Sequence, residues 1–142
     1  MKLYINDLNK LKITRVRDWR INFKYDNVLY SFNCHEDGSD SSTVLINWDT
    51  KEVIKGQYGN LYVNNYIKVN YNNYNKPTIY SHIDKEYFVK QLYKNGFVMC
   101  GKKIHNEVIQ DKIYALKNDI INLEREIEEK KQSIKQMYSL IK

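Results

Sequence analysis

Trp19-Arg20-Ile21-Asn22-Phe23-Lys24-Tyr25-Asp26-Asn27-Val28-Leu29-Tyr30-Ser31-Phe32-Asn33-Cys34 holds two alternating runs around an Asp-Asn dipeptide. A period of two puts every second side chain on one face of a strand, and a two-residue loop between two such runs reads as a hairpin. With Asp26 and Asn27 as the loop, Tyr25 faces Val28, Phe23 faces Tyr30, Ile21 faces Phe32 and Trp19 faces Cys34. One side of the hairpin is then apolar or aromatic throughout, so register and pattern agree. Extended outward, the same register sets Asp18 opposite His35 and Arg17 opposite Glu36. A cross-strand ion pair would account for Arg17 without any ligand.

Upstream of the hairpin the chain is basic. From Lys10 to Lys24 the residues Lys10, Lys12, Arg15, Arg17, Arg20 and Lys24 stand against Asp18 alone, a positive strip of the kind that attracts phosphates or acidic protein surfaces. The 142-residue chain carries a net charge of +6, and all of it sits in residues 1–104, which hold 16 basic and 10 acidic side chains. Residues 105–142 hold 7 of each. The strip is interleaved with aromatics, and Lys55, Tyr58, Tyr62, Tyr66 and Lys68 continue that theme. Such a composition binds phosphates through charge and stacks bases on rings. Arg15, Arg17, Trp19, Arg20 and Lys24 are the candidate ligand-binding residues.

Downstream, residues 35–42 form a small acidic loop, and Thr43 to Trp48 with Val53 to Lys55 read as a second hairpin across the four-residue turn Asp49-Thr50-Lys51-Glu52. Residues 61–71 read as one long strand or as a hairpin bent at Asn64-Asn65, since Asn tolerates the left-handed conformation. Residues 72–77 are then a loop, and Thr78 to Tyr80 a short last strand. From 84 to 95, Tyr87, Phe88, Leu92 and Tyr93 recur at helical spacing, with Asp84 as the cap and Asn95-Gly96 as the stop. Phe97 to Cys100 is a brief apolar segment.

The C-terminal part carries the longest regular pattern. Ile109, Ile113, Leu116, Ile120, Leu123, Ile127, Lys130, Ile134, Met137 and Ile141 follow one another in alternating steps of four and three. This is a heptad seam, with Ile113, Ile120, Ile127, Ile134 and Ile141 filling one position and Ile109, Leu116, Leu123, Lys130 and Met137 the other, the distribution that favours two strands. Lys130 is the single polar intruder. Ile109, Ile113, Leu116, Ile120, Leu123, Ile127, Ile134 and Met137 are the candidate oligomerisation residues. A parallel in-register pair would oppose Lys112 to Lys117 and Asp119 to Glu124, whereas an antiparallel pair centred near Ile120 brings Lys112 toward Glu126 and Lys117 toward Glu124. A helix of about 37 residues extends about 55 Å, more than a small domain covers. A second copy is the economical cover. The alternative is one helix lying along its own sheet.

The expected fold is therefore α+β, with an antiparallel β-sheet of hairpins and a short helix in residues 1–104, then a long C-terminal helix in 105–142. Apolar residues are 42% of the chain and charged residues 28%, enough for a core. No window is apolar enough for a membrane span, and the start turns polar before a signal-peptide stretch could form. A cytoplasmic protein with two free thiols, Cys34 and Cys100, is expected.

Catalytic and metal motifs are missing from the sequence. Cys34-His35 with Cys100 and His105 lacks a standard zinc spacing, and no metal or other cofactor is expected. His82, Asp84 and Glu86 could form an acid–base cluster, but their place at a helix start favours capping and dipole compensation. The five glycines form no phosphate-cradling motif, and Gly56 to Asn60 is a turn.

Thirteen Tyr, one Pro and a preference for Asn, Lys and Ile look like the product of an AT-rich genome. With a small antiparallel sheet followed by two helices, the chain resembles small phage-encoded proteins that counter bacterial defence, either the Thoeris anti-defence sponge family or CRISPR inhibitors of similar size. The resemblance covers the order of elements and brings no ligand residues. It implies a non-catalytic homo-oligomer, a dimer or higher, in the host bacterial cytoplasm. Such a protein would inhibit a defence system by sequestering a nucleotide-type signal or by masking a host defence protein. The other reading is a nucleic-acid-binding or regulatory module that uses the strip 10–24.

Overall fold

A computed structural model describes residues 2–34, 43–56, 63–69 and 82–141. The chain divides into two compact units, Met1–Ile104 and His105–Lys142.

Unit 1 is built on a five-stranded antiparallel meander of β2 (Leu11–Val16), β3 (Arg20–Tyr25), β4 (Val28–Asn33), β5 (Val44–Asn47) and β6 (Val53–Lys55), each strand paired to the next in sequence. The β3–β4 hairpin has the register its alternation demands: Tyr25 opposite Val28, Phe23 opposite Tyr30, Ile21 opposite Phe32. Asp26 and Asn27 both take positive φ, 50° and 67°, the two left-handed residues of a type I′ loop whose twist matches the strands. The second hairpin forms, but the Asn47 amide donates to Glu52 C=O, so its four-residue turn is Trp48–Lys51 rather than Asp49–Glu52. Asn47 Oδ1 accepts from the amides of Asp49 and Thr50, and Lys51 takes the left-handed position.

One face of the sheet is the core. Leu11, Ile13, Ile21, Phe23, Tyr25, Tyr30, Phe32, Leu45 and Ile54 are buried there, and α1 (Lys85–Lys94) packs on them through Phe88, with Val89 and Leu92 also buried. Phe23 stacks on Tyr30 at 5.3 Å and meets Phe88 edge-on at 5.5 Å. Phe32 contacts Tyr66 at 4.6 Å and Phe97 at 4.9 Å. Aromatic pairs of this geometry add to the area they bury. Asp84 caps α1 by accepting from the Tyr87 amide at 3.1 Å. Its end is a Schellman motif: the Phe97 amide donates to Leu92 C=O, the Gly96 amide to Tyr93 C=O, and Gly96 has φ 78°.

Three strands escaped the sequence reading. β2 formed where a charged strip obscured the apolar positions, and β1 (Leu3–Ile5) pairs in parallel with β7 (Val98–Cys100). The reading of 61–71 as strand or hairpin is not met within residues 63–69. Val63–Asn65 is a single 3-10 turn closed by the Tyr66 amide on Val63 C=O, and Val69 makes only an isolated bridge to Ile83. The two Asn residues bend the chain there, while burial of Val63 and Tyr66 holds the turn down. The acidic loop 35–42, the loop 72–77 and the strand 78–80 lie outside the described residues.

Unit 2 is helix. α2 runs from Lys102 to Tyr138, 37 residues, and begins in the last residues of unit 1. From Ile109 to Ile141 every residue is exposed. No helix among the described residues is long and apolar enough to cross a membrane.

Candidate functional site

The site lies on the face of the meander opposite the core, and one backbone irregularity makes it. In β2 the apolar residues are Leu11, Ile13 and Val16, so the parity changes between Ile13 and Val16. The structure places a β-bulge there: Ile13 pairs with Phe23, but Arg15 pairs with Asn22 and Val16 with Ile21. Without the extra residue, Arg15 would share the core face with Leu11 and Ile13. The bulge re-aims it outward, as such insertions do. Thr14, the residue at the shift, donates its hydroxyl to Asn22 C=O at 3.2 Å.

Four of the five proposed ligand-binding residues converge as a result. Arg15, Arg17, Trp19 and Arg20, joined by Asn22, line a surface concavity of about 120 Å³. The fifth, Lys24, is not part of it; it stands one pleat further along β3, opposite Lys12. The chain reverses between Arg17 and Arg20, whose backbones bond at 2.7 Å. That reversal bears on the sequence expectations for this end of the hairpin. Arg17 directly follows β2 and leads into the turn, and its expected pairing with Glu36, like that of Asp18 with His35, involves residues outside the described ones. Trp19, expected on the apolar face opposite Cys34, sits in the turn and is 43% exposed, although its carbonyl still accepts from the Cys34 amide at 2.9 Å.

The three arginines are not equivalent. Arg20 is a structural tie as well as a cation: its Nε donates to Asn33 Oδ1 at 2.9 Å and its guanidinium lies over the Trp19 ring at 4.6 Å. Arg15 and Arg17 are exposed and have no ion-pair partner among the described residues. Together they set three permanent positive charges around one small hollow, since guanidinium does not deprotonate in proteins. Such a hollow attracts a compact anion, and the exposed indole beside it offers a ring for stacking.

Asn22, Ser31 and Trp48 were not singled out from the sequence. Trp48 Nε1 donates to Ser31 Oγ at 2.7 Å, and Ser31 Oγ donates to Asn22 Oδ1 at 2.6 Å. Ser31 is buried, with 1% exposure. The hairpin register already opposes Asn22 to Ser31, so that pair was legible as a polar couple on the outer face.

The eight oligomerisation candidates, Ile109, Ile113, Leu116, Ile120, Leu123, Ile127, Ile134 and Met137, all lie on α2 with 39% to 67% exposure. Tyr114 and Ile121, which fall outside the seam, are exposed too. Among the groups weighed for chemistry, Asp84 is the cap of α1, and Glu86 pairs with Lys90 at 3.6 Å. Burial pushes the Cys34 thiol up to about 12 and the Cys100 thiol up to about 11, so both are protonated at neutral pH and poor nucleophiles. The described residues hold no group of three or more His, Cys, Asp or Glu that could bind a metal ion. No family model, curated protein or solved structure matches the chain.

Proposed function

We propose that this protein is a non-catalytic, homo-oligomeric binding protein that captures a nucleotide-type anion in the Arg15–Arg17–Trp19–Arg20 concavity. The observation that carries this reading is the bulge in β2. It turns Arg15 out of the core and sets it beside Arg17, Arg20 and an exposed indole. Three cations gathered without an acidic partner among the described residues repel one another, and a bound phosphate relieves that repulsion. α2 supports the oligomeric half of the reading. Its exposed stripe is a heptad pattern of Ile, Leu and Met broken by Lys130 alone, complementary to a helix with the same pattern, and a second copy supplies one. In the host context its composition points to, the protein acts as a phage or prophage inhibitor that removes a signalling nucleotide from a bacterial defence system.

A second reading has its own support. Lys12 and Lys24 stand directly opposite each other on the outer face, an unfavourable pairing. With Arg15, Arg17 and Arg20 they extend the positive surface along the β2–β3 hairpin, which suits a polyanion such as DNA or RNA.

One titration separates the two. Isothermal calorimetry with an adenine dinucleotide and with a single-stranded oligonucleotide, at low and moderate salt, is run on wild type and on Arg15→Glu/Arg17→Glu. Arg20 is left alone because it ties Asn33 and Trp19. The nucleotide reading expects saturable dinucleotide binding that the double variant loses. The polyanion reading expects oligonucleotide binding that falls steeply with salt and is weakened also by Lys12→Glu/Lys24→Glu. Unchanged binding in Arg15→Glu/Arg17→Glu removes the concavity from both.

A further inference from the structure

Resting on the concavity reading, we infer that the hollow holds only the phosphate of its ligand, and that Trp19 reads the base, stacked on the indole face turned away from Arg20. The argument starts from size. Pockets that enclose a whole drug-sized ligand measure about 300 to 1,000 Å³, whereas this hollow measures about 120 Å³. A nucleotide belongs to that size class, so it enters the hollow only in part. Charge decides which part. Arg15, Arg17 and Arg20 line the hollow, and a guanidinium matches phosphate oxygens in both charge and geometry. The phosphate goes in, and the base is left at the rim.

Among the described residues that line the hollow, Trp19 alone is aromatic. Arg20 Cζ lies over its ring at 4.6 Å, so one face of the indole is occupied. Arg20 is held there from its other side, because its Nε donates to Asn33 Oδ1 at 2.9 Å. A base can then reach only the opposite face, and the 43% exposure of Trp19 leaves the residue accessible. The result is a layered stack of guanidinium, indole and base. Every base has a π-face, so stacking separates a nucleotide from a sugar phosphate without reading hydrogen-bond pattern. With only the phosphate enclosed, a free nucleotide and one unit of an oligonucleotide present the same chemistry to the site. Trp48, the second tryptophan, is not in the lining: its Nε1 is committed to Ser31 Oγ, and Lys51 Nζ lies over its ring at 5.1 Å.

The test compares AMP with ribose 5-phosphate, which carries the same phosphate without the base, by calorimetry at neutral pH and fixed salt. Wild type binds AMP more tightly by about tenfold, the scale of one stacked base. In Trp19→Ala the affinity for AMP falls to that for ribose 5-phosphate, whose own binding is retained. Trp19→Phe keeps a smaller ring and an intermediate preference, and serves if Trp19→Ala does not fold. Trp48→Phe leaves the preference intact and makes Trp19 the only tryptophan, so its fluorescence responds to AMP and not to ribose 5-phosphate. Adenylyl-adenosine in the same series separates the two sources: tighter binding than AMP assigns the site to a nucleotide within a chain, weaker binding to a free nucleotide, and Trp19→Ala lowers both. Equal affinity of wild type for AMP and ribose 5-phosphate, or a preference for AMP that survives in Trp19→Ala, would overturn the inference and spare the concavity. Failure of wild type to bind AMP, ribose 5-phosphate and adenylyl-adenosine at all would overturn the reading beneath it.

Discussion

Cys34 shows what single residues contribute here. It is 1% exposed at the end of β4, and its thiol is raised by burial from 9.0 to about 12. The unfolded chain releases that proton near pH 9 while the native state keeps it. A raised thiol therefore adds stability in full below about pH 9 and loses it as pH rises toward 12. Urea unfolding of wild type between pH 8.5 and 10.5 should show stability falling by up to about 1.4 kcal/mol per pH unit from this group. Cys34→Ala, less stable at neutral pH through lost packing, should have a visibly flatter slope. Equal slopes would mean that the thiol is not buried as described. At the same scale, Arg15, Asn22 and Ser31 show that a polar side chain on the outer face is defined by its cross-strand neighbours. Ser31 and Trp48 constrain Asn22, and the bulge at Thr14 constrains Arg15.

Among the elements, the β3–β4 hairpin and α2 were readable in the sequence because each repeats one simple period over many residues. α1 was readable because Asp84, Asn95 and Gly96 punctuate it. β2 was hidden by the very bulge that creates the site. Its apolar residues change parity after Ile13, so neither a period of two nor one of 3.6 fits Leu11 to Val16. β1 and β7 are three residues each and pair across nearly the whole of unit 1, a non-local parallel contact that no local pattern announces. Trp19 was misplaced because alternation was carried past the point where the chain turns. α2 also yields the element-scale prediction. Ile120 and Leu123 are 54% and 57% exposed in one chain, so Ile120→Ala/Leu123→Ala costs little within a single helix. In a packed seam each change costs about 2 to 5 kcal/mol. Sedimentation should therefore show the double variant at the mass of a single chain, with helicity retained in unit 1. An unchanged mass would exclude the seam as the interface.

For the whole molecule, the two units divide the work. Unit 1 supplies a folded core and an arginine-lined hollow, and unit 2 supplies a helix with an exposed apolar stripe. Neither half explains the other's features: the hollow does not require a 37-residue helix, and the seam does not require clustered arginines. The proposed symmetric binding protein would account for both, because each copy would bring one hollow and share one seam. The most direct measurement is native mass spectrometry of the protein as purified from a bacterial host, which reports the number of chains and any retained anion together. The account predicts a mass of at least two 17.1 kDa chains, with an added nucleotide-sized mass that Arg15→Glu/Arg17→Glu abolishes. A single 17.1 kDa chain without added mass would contradict it.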